Sequence, residues 1–131
     1  MHEFHAWIGL AQSPYEDDDD LLERGVAEVR AFVGRADWPD AVFAVRRLNG
    51  QYFLTATGFV NRIRDEGRFL DDLLGLIARV LPGSYGLVHD RADEMPMPPG
   101  PGMFRVRVLA RGLLTERADP FLSPCNPVIE D

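Results

Sequence analysis

Several things are scarce in this sequence, and each shortage removes a class of function. There is a single cysteine, Cys125, so no disulfide can close within the chain, which suits a reducing compartment. Basic residues are outnumbered, 14 against 21 acids, for a formal net charge of −7. A nucleic-acid binder needs a basic footprint to displace counterions from phosphates, and the balance here runs the other way. Arg46, Arg47, Arg105 and Arg107 fall on predicted strands, with Arg62, Arg64 and Arg68 near one strand's end, but pairing with local acids accounts for them. No apolar run approaches the roughly 20 residues that cross a bilayer. The opening MHEFHAWIGLAQS lacks the basic start of a secretory signal and sets an acid and two histidines among its apolar residues. Together these shortages predict a cytoplasmic protein with neither nucleic acid nor membrane as partner.

Catalytic and cofactor motifs are equally scarce. Gly83-Ser84-Tyr85-Gly86 has a serine among glycines, but the first glycine is adjacent to the serine. A nucleophile elbow also needs strand then helix, whereas here a helix leads into a strand. The soft-ligand candidates His2, His5, His89 and Cys125 show no metal-binding spacing. Asp17 to Asp20 match a calcium loop in charge alone, without its central glycine or closing glutamate. No G-x-G-x-x-G follows a strand and there is no P-loop. The expectation is no catalytic residue, no metal and no cofactor.

What is present is a clear order of periodic segments. Phe4, Ala6, Ile8 and Leu10 alternate with His5, Trp7 and Gly9, the period of a strand with one buried face. Leu22, Val26, Val29 and Val33 recur at helical spacing from about Asp18 to Val33, behind acids that suit the positive end of a helix. Strands about 41–48 and 51–60 flank Asn49-Gly50, the strongest short hairpin signal, since both residues tolerate positive φ. Phe69, Leu70, Leu73, Ile77 and Val80 mark a second helix, about 67–81, stopped by Pro82-Gly83. A strand about 84–89 follows, then a proline-rich loop, then a strand 103–110 with Phe104, Val106 and Val108 on one face and Arg105 and Arg107 on the other. Arg111-Gly112 ends it, and the tail from Leu113 shows no period. The chain therefore reads as one α+β domain spanning 1–131, in the order β-α-β-β-α-β-β. Tight turns between neighbouring strands imply a mainly antiparallel, five-stranded sheet with two helices on one face. Trp7 is expected to be at least partly buried. The tail 119–131 is expected to be ordered, with Cys125 packed within it.

The two ends carry a further signal. Glu3-Phe4-His5-Ala6-Trp7, then Pro82-Gly83-Ser84-Tyr85-Gly86-Leu87, then Val108-Leu109-Ala110-Arg111-Gly112 recur in family order. Asp119-Pro120-Phe121-Leu122-Ser123-Pro124-Cys125 and Ile129-Glu130-Asp131 complete the series. Together they resemble the immunity protein 7 family of bacterial polymorphic toxin systems. The chain departs from the family pattern at Ala6, where glycine is expected, at His89, where a tyrosine-like residue is expected, and in the stretch Met95 to Gly102. The resemblance implies a protein that binds and neutralises a cognate toxin domain, and it assigns no contact residues.

Two other readings compete with an inhibitor. One is a small hydrolase-type enzyme using His89 or His5 with nearby carboxylates. The other is a self-associating structural domain. An inhibitor of a nuclease would profit from an acidic surface, because it can plug a basic cleft and is steered toward it. The densest acidic stretches are Asp17, Asp18, Asp19 and Asp20 at the first helix start, and Asp90, Asp93 and Glu94 after the fourth strand. With Tyr15 and Trp38 as aromatic anchors beside the helix, these are the candidate partner-binding residues. The plainer role for these acids is to cap a helix and solvate a loop. An open sheet face around Trp7, Arg105 and Arg107 is the second candidate surface.

Overall fold

The computed structural model describes residues 1–16, 18–61, 65–93 and 103–120. The chain runs β1 His2–Leu10, α1 Asp19–Val33, β2 Ala41–Leu48, β3 Gln51–Val60, α2 Asp65–Val80, β4 Tyr85–Ala92, β5 Arg105–Ala110 and β6 Leu113–Ala118. All strands join one antiparallel sheet in the order β2-β3-β1-β4-β5-β6. The first strand lies at its centre because β1 pairs with β3 on one side and β4 on the other. Both helices cover the same face. Phe4, Ala6, Ile8 and Leu10 of β1 share a core with Leu54 and Ala56 of β3, Val26 and Val29 of α1, and Leu70, Leu73, Leu74 and Ile77 of α2. Alternation in the strand and helical spacing in the helices thus aim their apolar sets at one layer.

The turns follow their residues. Asn49 and Gly50 take φ of 50° and 80°, the left-handed pair that a two-residue hairpin requires. Arg111 and Gly112 do the same, at 52° and 74°, and this second tight turn creates β6. The sheet therefore has six strands rather than five. Leu113–Ala118 does not alternate, and its six residues are exposed along an edge, so no buried face imprinted a period on them. The expectation for the tail reaches the described residues only as far as Pro120. Residues 121–131, Cys125 among them, lie outside.

One face assignment is reversed. Arg105 and Arg107 lie on the helix-covered face, because they pair with Asp90 and Val88, which flank β1 on that side. Val106 and Val108 face outward with Trp7 and Leu87. The reason is a buried ionic cluster. The Asp90 carboxylate, out of contact with water, accepts from Arg105 Nε at 2.7 Å and Nη2 at 3.1 Å, and from His2 Nε2 at 3.1 Å. Arg107 Nη2 stands 3.8 Å from the same group, and its Nη1 donates to Asp71 of α2 at 2.5 Å. Arg105 also donates to Glu116 at 2.9 Å. Burial pushes the Asp90 carboxyl up, but the bonds from His2 and Arg105 and the charge of Arg107 outweigh it and bring it to about 2.

Candidate partner-binding site

The sheet has two ends, and the loops divide between them. At the Leu10 end meet the β1–α1 connection, the Asn49-Gly50 turn, the α2–β4 connection and the Arg111-Gly112 turn. The first of these is fastened down. The Ala11 amide donates to Ser84 Oγ at 3.0 Å, and the Ser84 hydroxyl donates to the Ala11 carbonyl at 3.4 Å. A Cβ on Gly83 would lie 2.3 Å from the Ser13 carbonyl carbon, so only glycine lets the two connections touch. Asp18 caps α1 by accepting from the Leu21 amide at 3.1 Å, and Gln12 accepts from the Asp18 amide at 3.3 Å.

Between these connections lies a recess of about 450 Å³. Tyr15, Tyr52 and Tyr85 line it with Leu10, Leu22, Ser84, Gln51 and Arg111. Tyr15 is 91% exposed at the tip of its loop, and Tyr85 is 47% exposed. The Tyr85 ring extends the aromatic surface onto the open sheet face, where it meets Trp7 edge-on at 6.3 Å. Trp7 keeps 45% of its surface in water, so the expectation of partial cover holds while a broad ring face stays accessible. Tyr52 is buried against the core, and its hydroxyl donates to both Glu23 oxygens, at 2.8 and 3.0 Å. Hydrogen bonding to that carboxylate raises the Tyr52 pKa. Glu16, Asp18, Asp19, Asp20 and Glu23 are all exposed along this side. Rigid loops therefore present aromatic surface beside a rim of carboxylates, the composition from which protein interfaces draw anchors and steering.

The candidate residues separate in space. Tyr15 lines the recess, and Asp18, Asp19 and Asp20 follow at the exposed start of α1, outside its lining. Asp17 and Glu94 lie outside the described residues. Asp93 sits at the opposite end of β1, where its carboxylate pairs with the Met1 amine at 2.8 Å. With about 3.3 Å per strand residue, it is ~26 Å from the recess. Asp90 is not a surface group at all, because the cluster with His2, Arg105 and Arg107 encloses it. Trp38 lies beyond the far end of α1, half-buried against Phe69 at 5.0 Å, and serves the core. Tyr52, Tyr85, Gln51 and Arg111, which line the recess, were not foreseen in the site. The two tight turns, read as one end of a sheet, were the signal for Gln51, Tyr52 and Arg111, and Pro82-Gly83 before β4 was the signal for Tyr85.

His5 and His89 are directly opposed on β1 and β4, on the open face. His5 Nε2 lies 2.6 Å from Glu3, and His89 Nε2 lies 4.0 Å from Asp119. Glu3 is pulled down despite burial, by bonds from His5 and Arg91. Neither histidine lines the recess, whose walls offer hydroxyls, an amide and ring faces rather than an acid–base pair. Among the described residues no three metal-ligating side chains cluster.

In comparison with known proteins, the family described as immunity protein 7 matches residues 1–131. No curated protein and no solved structure matches the chain.

Proposed function

The chain belongs to the immunity protein 7 family, and from that premise we propose that it binds a cognate bacterial toxin and neutralises it through the loop end of the sheet. The family is one of inhibitors rather than enzymes, which sets aside the hydrolase reading of His5 and His89. The observation that carries the choice of surface is the fastened recess with exposed Tyr15 and Tyr85 beside the carboxylates of α1. Exposed aromatics on rigid loops lose little entropy on binding, and clustered acids raise the association rate toward a basic target. A toxin with a basic catalytic cleft, such as a nuclease, matches that charge. The expected working compartment is the cytoplasm, where such a toxin does its damage.

The test is to produce the chain together with the C-terminal toxin domain encoded beside it. The expected result is a stable complex and restored growth of the toxin-producing cell. The sequence contains no lysine, so amine coupling to a sensor attaches it only through Met1, at the end of β1 away from the recess. Absence of a complex together with absence of protection would overturn the reading.

A further inference from the structure

The face of the sheet away from the helices is not the polar surface that a one-sided antiparallel sheet usually turns to water. Trp7, Val42, Leu48, Phe59, Tyr85 and Leu113 all point outward there, and each keeps 45% or more of its surface exposed. Among the described residues, the other large apolar side chains left exposed are Tyr15, Leu21 and Leu114. Leu87, Val106 and Val108, half-buried, fill the middle of the same face. An exposed apolar surface of this extent marks an interaction site. We infer that it is the docking surface for a second copy of this chain, which packs its own open face against it in a two-fold, sheet-on-sheet dimer with the helices outside.

Charge selects this occupant. Each copy carries a net charge of −7, so two copies repel wherever their acids meet. On the open face they do not meet. Glu3 is the one carboxylate within the strands that points to it, and it is taken by His5 Nε2 at 2.6 Å and Arg91 Nε at 3.0 Å. Asp90 and Glu116 point to the helix side, where Arg105 holds both. The exposed arginines of the open face, Arg46 and Arg117, stand on the two edge strands and stay at its rim. A basic toxin is drawn instead to the carboxylates of α1, which lie beyond the other face and stay free in the pair. The area suffices as well. Six strands about 4.8 Å apart and ~20 Å long present roughly 600 Å² per copy, or about 1,200 Å² for the pair, the lower end of the range for stable complexes.

The test needs no toxin. Sedimentation equilibrium of the full chain, from low micromolar to submillimolar concentration, should show a monomer–dimer equilibrium with a Kd of about 10 µM. Trp7→Ser should raise that Kd at least tenfold. Thr55→Glu should do the same, since it places a charge directly beside Trp7 at an exposed position that the fold tolerates. Leu21→Glu, on the exposed side of α1, should change it less than twofold. In a sample mixed from labelled and unlabelled chains, intermolecular NOEs should link the Trp7 ring to methyl groups of Leu87 or Val108. A chain that stays monomeric throughout overturns the inference, as does a dimer that tolerates both Trp7→Ser and Thr55→Glu. If the chain is monomeric and Thr55→Glu weakens toxin binding, the face belongs to the toxin and the inference falls.

Discussion

Tyr85 lies across Gly9, its partner on the adjacent strand, so closely that a Cβ on Gly9 would stand 2.6 Å from the ring carbon Cζ. The missing side chain on β1 is what lets the ring reach Trp7 and join the open face to the recess. The clash is with the outer end of a movable side chain, so Gly9→Ala should leave the fold within ~1 kcal/mol of its original stability. The ring must then swing away. Trp7 fluorescence should shift, and toxin affinity should fall severalfold if Tyr85 is an anchor. An unchanged Trp7 spectrum would refute the packing described.

Gly86 and Gly75 should answer the same substitution in opposite ways. A Cβ on Gly86 meets the carbonyl oxygen of Trp7 at 2.1 Å and the Ile8 Cα at 2.7 Å, backbone atoms of the central strand that cannot retreat. Gly86→Ala should cost about 3 kcal/mol. Gly75 lies on the exposed side of α2 with nothing within 4 Å, so Gly75→Ala should stabilise by ~0.5–1 kcal/mol through helix propensity. Urea denaturation of the two variants measures both.

Acid should unfold the protein through Asp90. Its carboxyl is lowered from 3.8 to about 2 in the folded chain, against the pull of burial, by His2, Arg105 and Arg107. The unfolded chain therefore takes up this proton first. The associated stability is present above pH ~4 and is lost as the pH falls toward ~2, about 2 kcal/mol in all. Denaturant midpoints measured from pH 5 to pH 2 should fall accordingly, and a carboxyl ¹³C titration of Asp90 should place its midpoint near the lower limit. A midpoint near the ordinary aspartate value would refute the cluster's effect.

Charge reversal should separate the two acidic stretches. Asp19→Lys with Asp20→Lys, which spares the Asp18 cap, should slow toxin association about tenfold at low salt, with the gap closing as salt rises. Asp93→Lys, at the far end of β1, should leave the rate unchanged. Equal effects at the two ends would place the interface elsewhere.

The sixth strand should depend on its turn. Gly112 has a φ of 74°, so Gly112→Val should cost ~1–2 kcal/mol and release protection from hydrogen exchange along β6. Gly50→Val, at 80° in the other hairpin, should do the same for β2 and β3. Protection that survives either change would contradict the turn geometry.

Much of this was legible in the sequence because it is local. Asn49-Gly50 determined a hairpin by itself, since positive φ is a property of those two residues. The alternation of Phe4, Ala6, Ile8 and Leu10, and the stripe of Leu70, Leu73 and Ile77, fixed which residues enter the core, because burial on one side imposes a period. The family likeness was carried by short ordered motifs, and the match over residues 1–131 bears it out. Arg105 and Arg107 alternate as cleanly as any apolar set, yet alternation does not say which face the helices cover. That was decided by Asp71 and Asp90, brought from 36 and 15 residues away to hold those arginines. The same holds for the acids. Asp18 and Asp93 look like equal members of two runs, but β1 sets them at opposite ends of the sheet, and Asp90 is drawn out of water between its partners. The recess is tertiary throughout. Four connections meet at one end only because every strand pairs antiparallel with its neighbour, and the register of those pairs is a long-range property that no single segment encodes.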